Sequence, residues 1–391
     1  MDSTYYRFFA PCPRGLEGVL ENELLELGGL ATIGTQGGVG FHADWSTVYR
    51  INLNSHIASR VLWEVGHDTY STEEDVYRAA YRLGWPEWFA SSRTIKVKVT
   101  AQRCPLRSLD FLTLRIKDAV CDKFVALCGK RPSVDRRQPN IRIDVFLASD
   151  GVTFYLDTSG EPLFKRGYRQ ATAEAPLREN LAAGVLRLAG WTPDEVLMDP
   201  MCGSGTIPLE AALMARHSAP GVGRSFAFEY LRSYDGTQWA EARKAAQAER
   251  RTQVRSVIYA SDHNVAAIKM AARAFQAAGV GSDIQLRHSD VLSMEPPAAQ
   301  GLLVMNPPYG LRLGKATELR AFYPQLGNWL KQRFVGWRVY VLTADFLFVK
   351  AIGLSPSRKI PLYNGPIECR LYEFKIVTGR PKRSRKFPST N

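Results

Sequence analysis

The stretch Leu302-Leu303-Val304-Met305-Asn306-Pro307-Pro308-Tyr309 decides how the rest of the chain is interpreted. Four apolar residues followed by two prolines are typical of a buried strand that ends abruptly, because each proline forces the residue before it out of helical geometry. Asn306 therefore lies at the tip of the strand. Its amide accepts and donates hydrogen bonds, so Asn306 beside the Pro307 carbonyl can hold a planar exocyclic amine, with Tyr309 as a stacking face. Taken alone, the pattern also fits a strand that ends in a plain turn.

A second strand and loop precede it by about a hundred residues: Val196-Leu197-Met198 runs into Asp199-Pro200-Met201-Cys202-Gly203-Ser204-Gly205-Thr206. Ligands of open α/β sheets bind beyond the carboxyl ends of such strands, and the two glycines let the backbone approach a ligand closely. The loop lacks the Lys of a phosphate loop, and Pro208 stands where a dinucleotide motif has its third glycine. Its acid, Asp199, instead suits a cationic group such as an amino-acid ammonium.

Together the two motifs resemble those of the S-adenosylmethionine (SAM)-dependent amino-methyltransferases that carry an Asn-Pro-Pro-aromatic signature. In that family the acid–glycine loop holds the methionine and ribose, a second strand-end acid holds the ribose hydroxyls, and a third faces the adenine amine. Asp262 and Asp290 match the second and third acids, although each alone also fits a helix cap. The resemblance implies an α/β fold with a Rossmann-like class I methyltransferase core, SAM as cofactor, and catalysis by Asn306, Pro307 and Tyr309. The implied cofactor-binding residues are Asp199, Met201, Gly203, Ser204, Gly205, Asp262, His263, Asp290, Val291 and Asn306.

Composition points to a nucleic-acid partner. The 391 residues carry a formal net charge of +13 and a sequence pI of about 9.5, which favours an anionic partner. No apolar run is long enough to cross a membrane, and no signal peptide pattern opens the chain. The six cysteines show no metal-ligand spacing. We expect a cytoplasmic protein that binds nucleic acid, without a membrane segment or a metal.

The first 170 residues contain strand and helix patterns but no catalytic constellation. Residues 1–60 predict a ferredoxin-like α+β unit, and residues 61–170 resemble the THUMP domain that precedes the methyltransferase core in RNA-modifying enzymes. Basic residues are interleaved through this second unit and are expected to contact RNA phosphates. The candidates are Lys96, Lys98, Lys117, Arg136, Arg142 and Arg166. The methyltransferase domain is expected at residues 171–379, followed by a basic tail at 380–391.

Several short motifs occur in the same order in one subfamily, the bacterial large-subunit (23S) ribosomal RNA guanine-N2 methyltransferases. They are Arg14-Gly15-Leu16-Glu17, Lys117-Asp118-Ala119, Val134-Asp135-Arg136, Arg166-Gly167-Tyr168-Arg169 and the loop from Asp199. The resemblance covers nearly the whole chain. Some members carry a second, fused methyltransferase domain. We expect the 7-methylguanine activity of that half to be missing here.

Within the methyltransferase segment, four further features are predicted. The resemblance places Arg178-Glu179-Asn180 on a helix across the cofactor, and the segment 217–257 is an insertion on the first crossover, able to touch RNA. A helix is expected from Leu319 to Phe334, and Glu368 to Val377 is expected to close the sheet as an antiparallel edge.

The predicted reaction is direct methyl transfer to a guanine amine that leaves its stack to enter the pocket. Three alternatives stay open from the sequence: guanine-N2 methylation of transfer RNA, adenine-N6 methylation of nucleic acid, and an inactive RNA-binding or ribosome assembly factor. Protein glutamine methylation shares the Asn-Pro-Pro-Tyr motif, but the basic front unit argues against it.

Overall fold

The computed structural model describes residues 4–168, 177–254, 257–307 and 315–377. These residues form two seven-stranded sheets with helices packed against them. The α/β fold predicted from the sequence is confirmed.

The front half contains the first sheet and five helices. Its strands are β1 (Tyr6–Pro11), β2 (Leu30–Thr35), β3 (Gly38–Ala43), β4 (Leu62–Thr69), β5 (Ile95–Ala101), β6 (Ile141–Leu147) and β7 (Gly151–Asp157). Its helices are α1 (Glu17–Glu26), α2 (Trp45–Asn54), α3 (Glu73–Arg82), α4 (Trp85–Trp88) and α5 (Leu109–Cys128).

The strand order of the first sheet is β2-β3-β1-β4-β7-β6-β5. The pairing of β1 with β4, in which Phe8 faces Trp63 and Phe9 faces Leu62, joins the ferredoxin-like unit to the following segment in one sheet. The alternating residues 141–147 and 152–157, joined by Ser149-Asp150-Gly151, predict a hairpin, and it is present as β6 and β7. The front of the chain is therefore built on one continuous sheet.

The described residues of the second half form the second sheet and six α-helices. Its strands are β8 (Leu197–Asp199), β9 (Ile258–Asp262), β10 (Ile284–His288), β11 (Leu302–Met305), β12 (Arg338–Thr343), β13 (Arg358–Asn364) and β14 (Ile367–Lys375). Its helices are α6 (Glu179–Leu188), α7 (Thr206–Ala215), α8 (Gly236–Glu249), α9 (Val265–Ala277), α10 (Lys315–Arg333) and α11 (Phe348–Ile352).

The strand order of the second sheet is β10-β9-β8-β11-β12-β14-β13. Strands β8 to β12 are parallel, and the order reverses between β8 and β11, which pair directly. Such a reversal opens a crevice at the carboxyl ends of the strands. The loop from Asp199 and the residue Asn306 both follow strands that flank it.

One prediction about this sheet is wrong in part. The segment 368–377 forms the antiparallel strand β14 as predicted, but β14 lies between β12 and β13 and is not the edge. The edge is β13, whose Arg-Lys start and internal Pro361 do not look like a strand in the sequence. Proline is tolerated there because an edge strand leaves one side of its backbone unpaired.

One of the short motifs, Arg14-Gly15-Leu16-Glu17, locks the front unit to the second half. A Cβ at Gly15 would lie 2.3 Å from the carbonyl oxygen of Pro361 in β13, and one at Gly184 in α6 would lie 2.3 Å from the Leu16 side chain. The Arg14 guanidinium stacks 4.5 Å from the Tyr363 ring centroid. The Arg-Gly-Leu-Glu motif thus marks an interface with the second sheet.

The insertion at 217–257 packs against the front unit. Phe228, Tyr234 and Trp239 surround the buried Tyr49 ring of α2, with ring centroids between 4.7 and 6.3 Å apart. The Asp235 N–H donates to the Tyr49 hydroxyl at 2.9 Å. The insertion therefore joins the two halves. In the described part of the chain, no helix has both the length and the apolar character needed to cross a membrane.

Candidate active site

The register of the second sheet sets the predicted site residues side by side. Asp199 at the end of β8 faces Ala260 in β9, and His288 in β10 faces Asp262. On the other side of β8, Leu303 pairs with Met198, so Asn306 lies beyond the end of β8 at the tip of β11. The strand-end acid of β8, that of β9 and the amide of β11 therefore meet at one edge of the sheet.

Asp199 is buried, with 1% of its surface exposed, and its Oδ1 accepts the Met201 N–H at 3.2 Å. Burial raises the pKa of Asp199 well above its usual range; the hydrogen bond from Met201 opposes this, and the Asp262 carboxylate adds to it. A buried carboxylate with no paired cation in the described chain is costly unless it is protonated or meets a positive group. Asp199 can therefore receive a cationic ligand.

Asp262 organises the loop that follows Asp199. Its Oδ2 accepts the Gly203 N–H at 2.9 Å and its Oδ1 accepts the Asn264 N–H at 2.8 Å, while the Cys202 N–H bonds to the Ser261 carbonyl. Each carboxylate oxygen accepts more than one hydrogen bond, so these contacts leave room for ligand hydroxyls. Asp262 thus fixes the loop and keeps the capacity to bind a ligand.

Glycine stands at positions 203 and 205 of the loop for different structural reasons. Gly203 has φ +54°, and in the described part of the chain no atom lies within 4 Å of the position a Cβ would take, so its backbone borders open space. Gly205 has φ +81°, and a Cβ there would meet the Phe275 ring at 2.6 Å and the Ala271 Cβ at 3.0 Å on α9. Gly205 is needed for packing, whereas Gly203 leaves the crevice open. Ser204, between them, is half-buried.

Asn306 has a buried side-chain carbonyl oxygen that no donor satisfies within the described part of the chain. A buried acceptor without a partner costs free energy, so this oxygen is suited to a donor from a ligand. Pro307 is buried beside it. Tyr309, the predicted stacking residue, lies outside the described residues.

The remaining predicted cofactor residues differ in exposure. Asp290 is exposed, and its Oδ1 accepts the Leu292 N–H at 2.8 Å, so it caps the short helical turn Val291–Ser293. The Val291 side chain is buried in the core. His263 has 72% of its side chain exposed and lies 3.5 Å from Asp262 Oδ1. Their contacts with a cofactor stay predictions.

Cys202 is the thiol in the loop. Burial raises its pKa well above the ordinary value, and the Asp199 and Asp262 carboxylates add to the effect. The thiol is therefore protonated at neutral pH and is a poor nucleophile.

Helix α6 begins at Glu179, within the segment expected across the cofactor. The Asn180 amide instead donates to the Ile57 carbonyl at 3.2 Å and to Ser59 Oγ at 3.1 Å, and its Oδ1 has no partner within the described chain. Asn180 thus attaches α6 to the front unit.

A basic cleft of about 1230 Å³ lies where the first sheet, the segment 160–167, the insertion and the β13–β14 turn meet. Of the six predicted RNA-binding residues, Lys96 and Arg142 line it with basic side chains of the front sheet. Arg137, another of the interleaved basic residues of the front unit, lines the cleft as well. The basic cleft residues that the sequence analysis did not single out for RNA are Arg60, Lys165, Arg178 and Arg224. They come from distant segments, so only the fold brings them together.

Three of the other predicted residues lie outside this lining. Lys98 is exposed on the same strand as Lys96. Lys117 on α5 is paired with Asp118. Arg136 is exposed, and its backbone carbonyl accepts a hydrogen bond from Lys96 Nζ at 2.8 Å. Their contacts with RNA stay predictions.

Arg166 also belongs to the lining of the cleft, but its side chain is buried against the protein. The side chain is 1% exposed and its Nε lies 3.4 Å from Glu210 Oε1. Its other nitrogens donate to the carbonyls of Leu163 and His56, both at 2.7 Å, and to that of Ser55 at 3.4 Å. These contacts hold the segment 160–167 to the front unit and to α7. Contact of Arg166 with RNA stays a prediction.

Residues 166–373 match the RMKL-like methyltransferase domain, which is more than half of the chain. The chain belongs to the RMKL-like methyltransferase family. This RMKL-like chain also matches the RlmL ferredoxin-like domain at residues 7–62 and the THUMP domain at residues 70–157. The predicted ferredoxin-like and THUMP units are therefore confirmed.

Two relatives and a solved structure show how far the similarity extends. The ribosomal RNA large subunit methyltransferase K/L of Shewanella frigidimarina is 36% identical over 97% of this chain but over 54% of its own length. The RMKL-like chain thus spans about half the length of that relative. A putative RNA methyltransferase of Synechocystis sp. is 36% identical over 94% of this chain and 96% of its own length. The crystal structure of a putative methyltransferase complexed with SAH is 27% identical, with a TM-score of 0.87, and covers 97% of this chain and 100% of its own.

Proposed function

We propose that this chain uses SAM to methylate the exocyclic N2 amine of a guanosine in 23S ribosomal RNA. One observation carries the proposal: the buried, unsatisfied carbonyl oxygen of Asn306 lies at the tip of β11, beside the acid–glycine loop of β8. That oxygen needs a hydrogen-bond donor, and an exocyclic amine is one. The name of the Shewanella relative supports ribosomal RNA of the large subunit as the substrate.

The residues of the crevice fit SAM. Asp199 offers a buried carboxylate to the amino-acid ammonium, Gly203 leaves open space beside the loop, and Asp262 has acceptor capacity for ribose hydroxyls. The SAH bound to the neighbouring structure is the demethylated form of SAM, which supports the same assignment here. Bound SAM would supply an electrophilic methyl group.

The role of this chain in the reaction is to position the guanine amine. The base leaves its stack at a cost of a few kcal/mol, less if it already lies in a loop. Asn306 and the Pro307 carbonyl accept hydrogen bonds from the amine and turn the nitrogen lone pair toward the methyl donor. Most of the acceleration then comes from proximity and orientation. The methylated ammonium is acidic enough to lose its proton without a strong general base.

The alternatives use the same amide. An Asn at this position would hold the N2 amine of a transfer RNA guanine or the N6 amine of adenine equally well, and an inactive assembly factor would bind RNA without transfer. The test is transfer of tritium from methyl-labelled SAM to isolated 23S ribosomal RNA and to transfer RNA, followed by nucleoside analysis. Label in N2-methylguanosine of 23S RNA supports the proposal. Label in transfer RNA alone, in N6-methyladenosine, or in neither RNA contradicts it.

The amide itself is tested by Asn306→Ala. This variant should keep most of its affinity for SAM, measured by calorimetry, because Asp199 and the loop are unchanged. Transfer should fall to background, because the amine is no longer oriented. Turnover equal to that of the unaltered protein would contradict the role assigned to Asn306.

A further inference from the structure

The carboxyl edge of the second sheet continues from Asn306 toward the basic cleft. Strand β12, next to β11, ends at Thr343, which pairs with Arg370 in β14. The turn from Asn364 to Ile367 joins β13 to β14. It lies at the same edge of the sheet and lines the cleft. Strand β13 is three strand spacings from β11, roughly 14 Å across the sheet. The catalytic crevice and the basic cleft therefore share one edge.

An aromatic ring lies on this edge between the catalytic crevice and the basic cleft. Phe346 follows β12 and is 42% exposed, although it is a large apolar side chain. The Arg370 guanidinium stacks on it, 4.0 Å from the ring centroid. Asp345 fixes the turn, because it accepts the Leu347 N–H at 2.9 Å and the Tyr323 hydroxyl at 3.2 Å. A planar platform is thus held rigidly one strand away from Asn306.

The cleft carries more positive than negative charge. Among the described residues, its lining holds eight lysines and arginines but two carboxylates, those of Glu161 and Glu179. Lys96, Arg137, Arg178 and Arg224 form no ion pair with a carboxylate in the described part of the chain, whereas Arg60 pairs with Asp157, Arg142 with Asp144 and Lys165 with Glu161. The cleft therefore has an excess of cations. Such an excess of positive charge favours the binding of a polyanion.

Two of these arginines show how the cleft is built. Arg224 donates to the carbonyls of Pro162, Ser159 and Glu161, and burial, then the Arg166 guanidinium, lowers its pKa to about 10. A phosphate nearby would relieve that repulsion. Arg178 stacks on Phe164 with its guanidinium 5.0 Å from the ring centroid, and it lies against Gly365 of the turn. Arg178 therefore connects the cleft to the edge that carries Phe346.

We propose that the Phe346–Arg370 pair and the basic cleft form one binding track for the single-stranded RNA that flanks the methylated nucleotide. This proposal rests on the proposed function. A base next to the target stacks on the Phe346–Arg370 pair. The strand then enters the cleft, where Lys96, Arg137 and Arg178 contact its phosphates. A base pair inside a helix cannot offer its face to such a platform, so the flank is unpaired when it is bound.

The test measures binding without catalysis. A short fluorescein-labelled oligouridylate and a blunt RNA duplex of the same length are titrated with the full chain, and fluorescence anisotropy is recorded at several salt concentrations. The oligouridylate should bind more tightly than the duplex. Phe346→Ala should weaken its binding about tenfold, within the range of base–aromatic stacking. Phe346→Tyr should bind like the unaltered protein, because the ring remains.

The cleft is tested by its salt dependence. Arg137→Gln should lower the slope of log affinity against log salt by about 0.7, the amount for one single-strand phosphate contact. Two matched controls should change nothing: Phe111→Ala removes a phenylalanine of α5 that is 50% exposed, and Lys359→Gln removes an exposed charge at the opposite end of β13.

Equal affinity for duplex and single strand would overturn the proposal. So would a loss on Phe346→Ala no larger than the loss on Phe111→Ala, or a salt slope that Arg137→Gln leaves unchanged. Because these measurements use neither SAM nor methyl transfer, the track can fail while the methylation proposal stands. The reverse also holds, since a chain that transfers no methyl group would still show the track by binding.

Discussion

At the scale of single residues, Asp199 is the residue whose ionisation should control cofactor affinity. Burial raises its pKa well above the usual range, so the empty site holds a proton at pH values where an exposed aspartate is charged. A cationic ligand must displace that proton. The affinity for SAM should therefore increase as the pH rises, and decrease as it falls.

The measurement is calorimetric titration with SAM between about pH 4, the ordinary pKa of aspartate, and about pH 7.7, where an α-amino group begins to lose its own charge. Asp199→Asn should bind more weakly at the upper end and show a flatter pH dependence, because its amide does not titrate. An equally steep dependence in Asp199→Asn would assign the titration to another group.

At the scale of elements, the loop and the helices around it depend on two glycines for different reasons. Gly205→Ala should destabilise the fold by about 2–4 kcal/mol, because a left-handed φ costs about 1–2 kcal/mol for a residue with a Cβ and the new methyl group overpacks Phe275 on α9. Gly203→Ala has only the first cost, about 1–2 kcal/mol. Urea unfolding of both variants would check this order, and a larger loss in Gly203→Ala would contradict the packing argument.

Elements with strong local patterns could be predicted from the sequence. Apolar runs that end in an acid or an asparagine predicted β8, β9 and β11. The pattern after Asp262 predicts a helix from Val265 to Ala278, and α9 ends one residue earlier. Strand β13 was missed, because Pro361 and a charged start hide an edge strand. The pairing of β1 with β4 was also missed, since register between distant strands depends on tertiary packing.

The candidate site also contains residues that could be predicted from the sequence and residues that could not. Asn306 and Asp199 were found because local motifs mark strand ends. Arg178 and Arg224 were not assigned to an RNA surface, because the cleft is assembled from segments far apart in the chain. The burial of Arg166 against Glu210 was not foreseen, since a sequence does not distinguish an arginine that contacts solvent from one buried against a carboxylate.

At the scale of the whole molecule, a buried ionic cluster joins three parts of the chain. Glu210 on α7 lies 3.2 Å from His56 Nδ1 of the front unit, 3.4 Å from Arg166 Nε and 2.6 Å from the Tyr168 hydroxyl; Arg166 and Tyr168 belong to the segment that follows β7. Helix α7 begins directly after the cofactor loop, so the cluster fixes that loop relative to the front sheet. The Arg-Gly-Tyr-Arg motif thus has a structural role.

The cluster predicts how stability depends on pH. Burial alone would raise the pKa of Glu210, but the Arg166 guanidinium and the contacts from His56 and Tyr168 outweigh it and lower the pKa to about 2 from a model-peptide value of 4.5. Because the pKa of Glu210 is lower in the folded than in the unfolded chain, its carboxylate stabilises the fold. At pH values above its pKa in the unfolded chain, this contribution is about 3 kcal/mol. That contribution should disappear as the pH falls from about 4.5 to about 2.

Glu210→Gln should lower the free energy of unfolding by about 3–5 kcal/mol at neutral pH, because it leaves Arg166 buried without its counter-charge. The matched control is Glu26→Gln, which removes a carboxylate from an exposed pair with Arg187 and should cost no more than about 1 kcal/mol. Replacing both charges, in Arg166→Met with Glu210→Met, should be less harmful than Glu210→Gln alone, because no unpaired charge is left buried. Urea unfolding at neutral pH and at several acidic values separates the cases. If Glu210→Gln lost stability on acidification as steeply as the unaltered protein, another carboxylate would be responsible, and the cluster would not be the group that ties the loop to the front sheet.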